Sequence, residues 1–456
     1  MRRFICVNEH CIQRLFHNHR RTTMQQRNHA TKIYEAAVAA VQPATLLQQQ
    51  LAVTATGIRI GTQQLNIPAQ SVVVIGAGKA AAAMAQTTEA MLGNYIKAGI
   101  ISTKYEHALP LQTIRCLEAA HPVPDANSKK AAEQTIELLQ QTKPGDAILC
   151  LLSGGASSLW ADVPEGCTLE EVQQIFQLLL KSGAAIDEMN CVRRHLSSIK
   201  GGQLLRYAPQ ANWFTLMISD VPGDQPEAIA SGPTTSDPST FADAWQIVEQ
   251  YQLQQRLPAT VIRHLQNGLN GKLAETIKPN DPLLKQVQNH IIGSNKIALT
   301  AAAATAKELG YTVLLQQELL TGDAAVTAAT IIQEAKQYNG KRPACLLYGG
   351  ETTVAVTGNG KGGRNQHLAL CALQHISAAN GITLLAAGTD GTDGPTDAAG
   401  AFADAQLANA IAQNKPALEE AILQNNAYPF FEKLNGLLKT GATQTNVMDI
   451  LIVLID

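Results

Sequence analysis

The feature that most restricts the fold of this sequence is a repeated order of apolar segment, short loop and helix-forming segment. The first instance is SVVVIGAGKAAAAMAQTTEAML (residues 71–92), where β-branched residues precede two glycines and an alanine-rich stretch, as in a buried strand, a turn and a helix. The order returns around AGIIST, around DAILCLL with SGGASS, and around NWFTLMIS with DVPGD. Such alternation predicts an α/β fold with a mostly parallel sheet covered by helices on both faces.

The length predicts more than one domain, since the 456 residues exceed the roughly 250–300 at which a single core stops growing. Residues 31–338 are predicted to form the N-terminal α/β domain, with a polar helical connecting segment from about Asp237 to Lys285. We place a boundary near Asn339 and a smaller α/β domain in residues 339–456. In that domain KRPACLLYGGETTVAVTG predicts a β-hairpin, GGRNQHLALCALQHI a helix and VMDILIVLI a closing strand.

Composition excludes several classes of protein. The formal net charge of −2 leaves no positive excess for binding a polyanion, so we expect no nucleic-acid partner. No apolar run reaches the roughly 18–20 residues of a membrane helix. The eight scattered cysteines include no CxxC pair, which favours the reducing cytoplasm. The oligomeric state is left open, and a homo-oligomer is one alternative.

Residues 1–30 form an Arg-rich extension that the fold prediction does not explain. They contain six arginines and one acid, Glu9, without a clear hydrophobic period. Such a start is compatible with a mitochondrial transit peptide. The absence of serine favours a disordered extension instead, with the true start of the protein at Met24.

Two glycine loops predict anion binding. Gly76 and Gly78 separate a strand from a helix, where bare backbone and a helix N-terminus suit a phosphate. Lys79 in the first turn is unfavourable for the helix dipole unless an anion compensates it; a solvated surface lysine is the alternative. SGGASS, residues 153–158, repeats the device, although a plain turn would give the same pattern. Both loops should meet beyond the carboxyl ends of parallel strands.

Acidic loops supply the other chemistry. ISDVPGD places Asp220 and Asp224 after a predicted strand, where carboxylates suit Mg²⁺ or a base for a hydroxyl proton. Glu351 lies in YGGET and Arg364 opens a predicted helix, again a position that calls for an anion. GTDGTDGPTD adds Asp390 and further aspartates. Solvated turns are the alternative for such acidic glycine loops.

Several enzyme classes lack their motifs here. The chain has no G-x-x-x-x-G-K-[ST], H-R-D or D-F-G run, which excludes ordinary P-loop kinases and the protein-kinase fold. It has no G-x-S-x-G or HExxH, so serine hydrolases and zincins are poorly supported. The first loop also fits the dinucleotide pattern G-x-G-x-x-A, but the next strand ends at Lys104 rather than at a ribose-binding acid.

Taken together and in order, the motifs resemble the glycerate 2-kinases of the MOFRL family. The resemblance is carried by VVVIGAGKA, HPVPDANS, LCLLSGGASSLW, MNCVRRHLSSIKGGQL, ISDVPGD, IASGPTT, GGETTV, GKGGRNQHLAL, AGTDGTDGPTDAAG and TNVMD. It implies ATP-dependent, Mg²⁺-assisted phosphorylation of D-glycerate at the 2-hydroxyl, in serine, glyoxylate or tartrate carbon metabolism. It also implies a Rossmann-like N-terminal domain and a smaller C-terminal domain with the active site between them.

The same resemblance assigns residues. It implies that Lys79 and Arg364 hold glycerate and the transferring phosphoryl group, and that the two domains close around that group. Asp220 and Asp390 are candidates for binding metal or for accepting the hydroxyl proton, roles that the sequence does not separate. Arg193 and Lys200 either reach the substrate or are solvated. Further positions expected to contact glycerate or ATP are Gly76, Gly78, Ser153, Gly154, Gly155, Ser157, Ser158, Asp224, Asn295, Glu351, Gly362, Gly363 and Asp393.

Two other functions remain as alternatives. Relatives of this family have been labelled hydroxypyruvate reductases, and an NAD(P)-dependent reductase would need a ribose-reading acid or a phosphate-reading arginine after the second strand. A non-catalytic sugar-phosphate binding protein would need the anion loops but not the acidic ones.

Overall fold

The structure is a computed structural model that describes the backbone of residues 9–377 and 381–456 and the side chains of residues 23–377 and 381–456. The described chain forms two compact units. The parallel-sheet unit contains Gln42–Ser294 and Gln444–Asn446, and the mixed-sheet unit contains Met1–Val41, Asn295–Thr443 and Val447–Asp456.

The chain begins in the mixed-sheet unit with helix α1 (Glu9–Ala40) and then forms the whole parallel-sheet unit. The helices of that unit are α2 (Pro43–Gln50), α3 (Ala81–Leu92), α4 (Ala126–Gln140), α5 (Ala156–Leu159), α6 (Leu169–Lys181), α7 (Ile186–His195), α8 (Phe241–Gln250) and α9 (Ala259–Leu269). Its strands are β1 (Leu51–Thr54), β2 (Gly57–Ile60), β3 (Gln63–Leu65), β4 (Val72–Ala77), β5 (Ile96–Lys104), β6 (Ile114–Ala119), β7 (Ala147–Leu152), β8 (Asn212–Ile218) and β9 (Val287–Gly293).

The main sheet of this unit has the Rossmann strand order. Within the described residues it has six strands in the order β6-β5-β4-β7-β8-β9, and every pair is parallel. The chain winds outward from β4 on one side and from β7 on the other, so the order reverses between these two strands. Ligands of open α/β sheets bind at such a reversal. The predicted Rossmann-like fold is confirmed.

Burial on both faces explains why the sequences of the central strands are continuous apolar runs. Every residue of β4 and β7 is buried, as expected of parallel strands with helices on both faces. A second apolar core joins α6, α7, α8 and α9 through residues such as Ile175, Val192, Phe241 and Leu265. Helix α6 begins with a capping box, in which Thr168 and Glu171 each accept a hydrogen bond from the other's backbone N–H.

The segment predicted as a connection, residues 237–285, contributes to the core. It is helical, as expected, but Phe241 and Val248 of α8 and Leu265 of α9 are buried in the four-helix cluster. Pro258 directly precedes α9, and Pro282 is the first residue of a short 3-10 helix; at such positions the missing N–H costs no intrahelical hydrogen bond.

The mixed-sheet unit also combines α-helices with a six-stranded β-sheet among its described residues. Its helices after α1 are α10 (Asn295–Glu308), α11 (Ala324–Gln337), α12 (Arg364–Ala372), α13 (Ala405–Ile411), α14 (Lys415–Leu423) and α15 (Ala427–Lys433). Its strands are β10 (Thr312–Leu315), β11 (Ala344–Gly350), β12 (Ile382–Gly388), β13 (Gly400–Asp404), β14 (Leu437–Leu438) and β15 (Asp449–Ile455).

The last strand of the chain lies in the middle of this sheet. The strand order is β10-β11-β15-β12-β13-β14; β10 pairs with β11 in parallel, whereas β15 is antiparallel to both β11 and β12. Asp449, the first residue of β15, pairs in register with Gly350 at the end of β11 and with Gly388 at the end of β12. The polar residues that follow β11 and β12 therefore share one sheet edge with Asp449.

The division into units differs from the boundary expected near Asn339. The segment from Asn295 belongs to the mixed-sheet unit because β10 pairs with β11 and α10 packs on α1. The predicted hairpin in KRPACLLYGGETTVAVTG is wrong. Only its first half forms a strand, β11, and the partners of that strand are β10 and β15.

The Arg-rich start also differs from the expected extension. Residues 1–8 lie outside the described residues, but the backbone is helical from Glu9 onward. Arg27 pairs with the buried carboxylate of Asp404 at 2.5 Å, and Gln26 Nε2 donates to Asp456 Oδ1 at 2.7 Å. The fold therefore includes residues before position 31. Among the described helices, none combines the length and apolar character that a bilayer crossing requires.

Candidate active site

The two glycine loops of the parallel-sheet unit bind each other. They follow β4 and β7, the strands on either side of the reversal. The N–H of Lys79 donates to Gly154 O at 2.9 Å, and the N–H of Ala80 donates to Ser153 Oγ at 3.0 Å. At Gly78, φ is +133° and a β-carbon would overlap Ser153, so this position requires glycine. Two donors that the sequence assigns to an anion thus bind the chain itself.

Three polar side chains lie close to the turn at Gly154 and Gly155. A β-carbon on Gly154 would overlap Oδ2 of Asp220. One on Gly155 would lie 3.0 Å from His121 Nε2 and 3.5 Å from Lys79 Cγ. Because both positions lack a side chain, Lys79, His121 and Asp220 can approach the same stretch of backbone. Nδ2 of Asn446 donates to Asp220 Oδ2 at 3.2 Å and orients that carboxylate.

A cavity of about 490 Å³ opens beside this turn within the parallel-sheet unit. The predicted site residues among its lining are Gly154, Gly155, Ser157, Ser158, Arg193, Lys200 and Asp220. Ser157 Oγ lies 2.9 Å from Ser231 Oγ. The sequence placed the glycines, serines and aspartate of this set after predicted strands and left Arg193 and Lys200 unplaced, whereas the structure places all seven around one cavity.

The cations of the cavity are held by neighbouring groups. Lys200 is buried, with Nζ 3.2 Å from Trp160 O and 3.7 Å from Asp162 Oδ1. Burial lowers the pKa of Lys200, and the charge of Asp162 opposes that shift. The Arg193 guanidinium lies 4.9 Å from the centre of the Phe176 ring. Burial lowers the pKa of Arg193 as well.

Three other predicted residues of this unit have backbone roles in the described structure. Ser153 is buried and accepts the Ala80 N–H. Gly76 packs against Leu151 of β7. The backbone N–H of Asp224 donates to Val221 O in a turn. Asp224 is not among the residues that line the cavity.

In the mixed-sheet unit Arg364 is bound by two carboxylates. Its Nε and Nη2 donate to Asp449 at 2.6 and 2.8 Å, and its Nη1 lies 3.0 Å from Glu351 Oε1. Burial would lower the pKa of Arg364, but the hydrogen bonds and charge of Asp449, with Glu351, raise it above the usual value. The anions that a cation at this helix start requires are therefore Asp449 and Glu351.

Asp393 caps the helix that Arg364 begins. Its carboxylate accepts the N–H of Asn365 at 3.1 Å and of Gln366 at 2.8 Å. The carboxylate crowds Gly363, where a β-carbon would overlap it. Burial raises the pKa of Asp393 to about 6, the two N–H groups oppose the shift, and the charge of Asp449 adds to it. Asp393, predicted to bind substrate, is an N-terminal cap here.

The remaining predicted residues surround the same sheet edge. Asp390 Oδ1 accepts the N–H of Thr392 at 3.1 Å. Asn295 is buried and donates to Val447 O at 2.8 Å and to Asp449 O at 3.0 Å. Gly362 packs on Ala427. Asn295 and Gly362 thus support the segment around Asp449 and α12.

The metal candidates are single carboxylates. Among the described residues, no three His, Cys, Asp or Glu side chains are grouped as a metal cage. Asp220 and Asp390 also lie in different units.

Sequence reasoning missed four residues of these sites: His121, Asp162, Asn446 and Asp449. The motifs HPVPDANS and TNVMD contain three of them and had served only to carry the resemblance. Asp449 opens an apolar strand, where an acid has no reason to be buried unless it has a partner. That signal was available, but its partner, Arg364, is 85 positions away.

Comparisons with known proteins agree with the resemblance. The chain is 37% identical to a glycerate 2-kinase of Pyrococcus horikoshii over 95% of its own length and 98% of that protein. A crystal structure of a glycerate kinase from Thermotoga maritima matches with a TM-score of 0.83 and 37% identity, covering 95% of this chain and 100% of that one. The chain belongs to the glycerate 2-kinase family.

The family models divide the chain as the fold does in outline. The MOFRL family model matches residues 344–449, which belong to the mixed-sheet unit except for Gln444–Asn446. A model described as a domain of unknown function, DUF4147, matches residues 29–266. One relative in this glycerate 2-kinase group, from Agrobacterium vitis, is named a hydroxypyruvate reductase; it is 38% identical over 93% of each chain.

Proposed function

We propose that this protein transfers the γ-phosphoryl group of ATP to the 2-hydroxyl of D-glycerate, giving 2-phosphoglycerate and ADP. The observation that carries the proposal is the convergence of Lys79, His121 and Asp220 on the Gly154–Gly155 turn. This turn follows β7, one of the two strands between which the strand order of the Rossmann sheet reverses. A cation, a proton-accepting group and a carboxylate are what phosphoryl transfer to a hydroxyl requires.

The residues have separate tasks in this reaction. Lys79 neutralises charge on the phosphoryl oxygens, and Arg364, fixed by Asp449, is a second cation for an anionic group of the substrates. The 2-hydroxyl oxygen bonds to the γ-phosphorus, the bond from that phosphorus to ADP breaks, and the hydroxyl proton passes to a carboxylate. Asp220 is our first candidate for that base, because its carboxylate lies against the Gly154–Gly155 turn. Asp390 is the second.

Mg²⁺ would be held by Asp220 or Asp390 together with phosphate oxygens, and it would supply further charge neutralisation. We expect turnover to require both glycerate and a divalent cation. Activity that persists undiminished in excess EDTA would contradict this part of the proposal. Restoration by added Mg²⁺ is the control.

A reductase is the second candidate, favoured by the name of the A. vitis relative. Its dinucleotide would need free N–H donors at the first glycine loop. The N–H groups of Lys79 and Ala80 instead donate to the second loop, and β5 ends at Lys104. These contacts support the kinase.

A paired assay separates the candidate functions. Purified protein is incubated with D-glycerate and Mg-ATP, and the product is identified by phosphorus NMR, which distinguishes 2-phosphoglycerate from the 3-phosphate. A parallel reaction contains hydroxypyruvate with NADH or NADPH. Phosphorylation in the first and no oxidation in the second is the expected result. The opposite pattern would support the reductase, and inactivity in both would support a binding protein.

We infer the cytoplasm as the compartment, since Cys150, Cys345 and Cys371 are buried free thiols that pack as small apolar groups. The pathway remains the one that the resemblance implies. A homo-oligomer stays open to measurement.

A further inference from the structure

The cavity of the parallel-sheet unit is larger than glycerate needs. Its volume of about 490 Å³ lies in the range of roughly 300–1,000 Å³ typical of sites for drug-sized ligands. A three-carbon acid would fill a small part of it. The second substrate of the proposed reaction, a nucleotide, has the appropriate size.

The lining of the cavity changes character from one part to another. One part consists of glycines, hydroxyls and the carboxylate of Asp220 at the Gly154–Gly155 turn. The other is apolar and is built by Val172, Phe176 and Leu180 of α6 with Met189 and Leu196 from the α7 region. Such a division suits a ligand with a charged end and a flat apolar end.

Two apolar side chains in this lining are exposed. Leu180 is 67% exposed and Val123 is 55% exposed, and both line the cavity. Large apolar groups beside a concave, partly polar site are typical of ligand-binding surfaces. They would be covered by a bound ring system.

The cations of the cavity do not select a small carboxylate. Lys200 lies against Asp162 and Trp160 O, so its charge is largely matched. The guanidinium of Arg193 lies over the Phe176 ring and donates to Asn190 Oδ1 at 3.2 Å. A planar guanidinium stacked on an aromatic ring provides a flat surface that suits a heteroaromatic base.

We propose that this cavity binds the adenosine end of ATP, with the base against α6 and the phosphates toward the Gly154–Gly155 turn. The inference rests on the proposed function for the identity of the donor nucleotide. It assigns α6 and α7, which pack on α8 and α9 rather than only on the sheet, as the wall that holds the base.

The test compares a nucleotide with a probe that lacks the nucleoside. Binding of ADP and of tripolyphosphate is measured by titration calorimetry without glycerate, for wild type and for Leu180→Asp. Because Leu180 is mostly exposed, the substitution should leave the fold intact. We expect ADP binding to weaken about tenfold or more, the scale of losing apolar contact with a ligand, while tripolyphosphate binding stays within twofold.

Leu269→Asp is the matched control. Leu269 ends α9 in the same unit, is 44% exposed and is outside the cavity lining, so this variant should bind ADP as wild type does. Steady-state assays should give a higher KM for ATP in Leu180→Asp with the KM for glycerate unchanged. Phe176→Leu, which removes the ring beneath Arg193, should likewise raise the KM for ATP and leave the KM for glycerate unchanged.

The outcomes separate this inference from the proposed function. Glycerate phosphorylation with unaltered ADP binding in Leu180→Asp would overturn the nucleoside site and leave the kinase standing. If ADP binding depends on Leu180 but glycerate is not phosphorylated, the nucleoside site stands and the proposed kinase function is overturned. A rise in the KM for glycerate alone would assign the cavity to the acid and overturn the inference.

Discussion

Arg364 illustrates how two carboxylates fix the orientation of a single cation. Asp449 engages two of its nitrogens and Glu351 a third, which fixes the plane of the guanidinium. The Asp449 side chain is nearly inaccessible, whereas that of Arg364 retains 32% exposure. The guanidinium is therefore held from behind and still reachable by a ligand.

Asp449→Asn should reduce kcat/KM by about tenfold or more, because Arg364 loses the charge that positions it. The loss should lie mainly in kcat, with a smaller change in the KM for ATP. The unfolding free energy should fall by about 1–3 kcal/mol, as expected for a hydrogen bond between charged groups. Initial rates and urea denaturation measure both effects.

Asp456→Asn, beyond the other end of β15, is the control for the strand. Asp456 accepts from Gln26, so a change there perturbs the same strand without touching Arg364. It should lower stability but not kcat. Equal kinetic losses in both variants would show that Asp449 acts only through the fold.

Asp393 makes the stability of the protein depend on pH. Burial raises its pKa from 3.8 to about 6. A carboxyl group with a raised folded pKa stabilises the fold fully below its unfolded pKa, and that contribution is lost as pH rises toward the folded pKa. The loss should occur between about pH 4 and pH 6 and amount to about 3 kcal/mol.

Asp393→Asn removes this titration. The variant should be less stable than wild type at pH 4, because it presents an amide to the N–H groups of Asn365 and Gln366, which need an acceptor. The difference in unfolding free energy should shrink as pH rises to 6 and then stay constant. Urea titrations at pH 4, 5, 6 and 7 test it. A constant difference across this range would contradict the raised pKa.

At the scale of elements, helix α1 is anchored by its second half. Arg27 pairs with Asp404 and donates to Asn435 O, and Gln26 joins Thr383 to Asp456. Ala30, Ile33 and Tyr34 are buried in the same unit. These contacts lie at or after position 26, which is where truncation should begin to affect folding.

Removal of the residues before Met24 should leave the fold and activity unchanged. Removal through Ala30, or the single change Arg27→Ala, should lower the unfolding free energy by about 3–5 kcal/mol, because the buried Asp404 carboxylate loses its partner. Arg59→Ala, an arginine of β2 in the other unit, is a matched control with little expected effect. Thermal denaturation compares them. A destabilised short truncation would contradict this assignment of the boundary.

For the whole molecule, the central prediction concerns Lys79 and Arg364, one in each compact unit. Lys79→Ala and Arg364→Ala should each reduce kcat/KM by about 10²-fold or more, the scale of losing one preorganised contact to the transition state. If both residues serve the same phosphoryl group, the double variant should lose less than the product of the single losses. Steady-state rates of the four proteins give the coupling.

The two single variants should differ in stability. Arg364→Ala leaves Asp449 buried without its ion pair, so we expect it to destabilise the protein. Lys104→Ala is the control for Lys79→Ala, because Lys104 ends β5, the strand that pairs with β4 in the parallel sheet. Near-wild-type kinetics in either Lys79→Ala or Arg364→Ala would refute the assignment of that residue.

The sequence by itself determined the elements, because strand and helix periods and glycine turns are local patterns. It placed β4, β7, β8, β15 and α12, and its ordered motifs indicated the family. It also placed Lys79, Asp220 and Arg364 at loop ends or helix starts. These predictions needed no knowledge of which distant segments pair.

Only the tertiary structure decided the partners. The N–H groups of Lys79 and Ala80 bind residues 153 and 154, and β15 enters between β11 and β12, which brings Asp449 to Arg364. The same pairing assigned β10 and α10 to the mixed-sheet unit. Strand pairing and ion pairing depend on which buried polar groups can satisfy one another across the whole chain, and a local pattern does not contain that information.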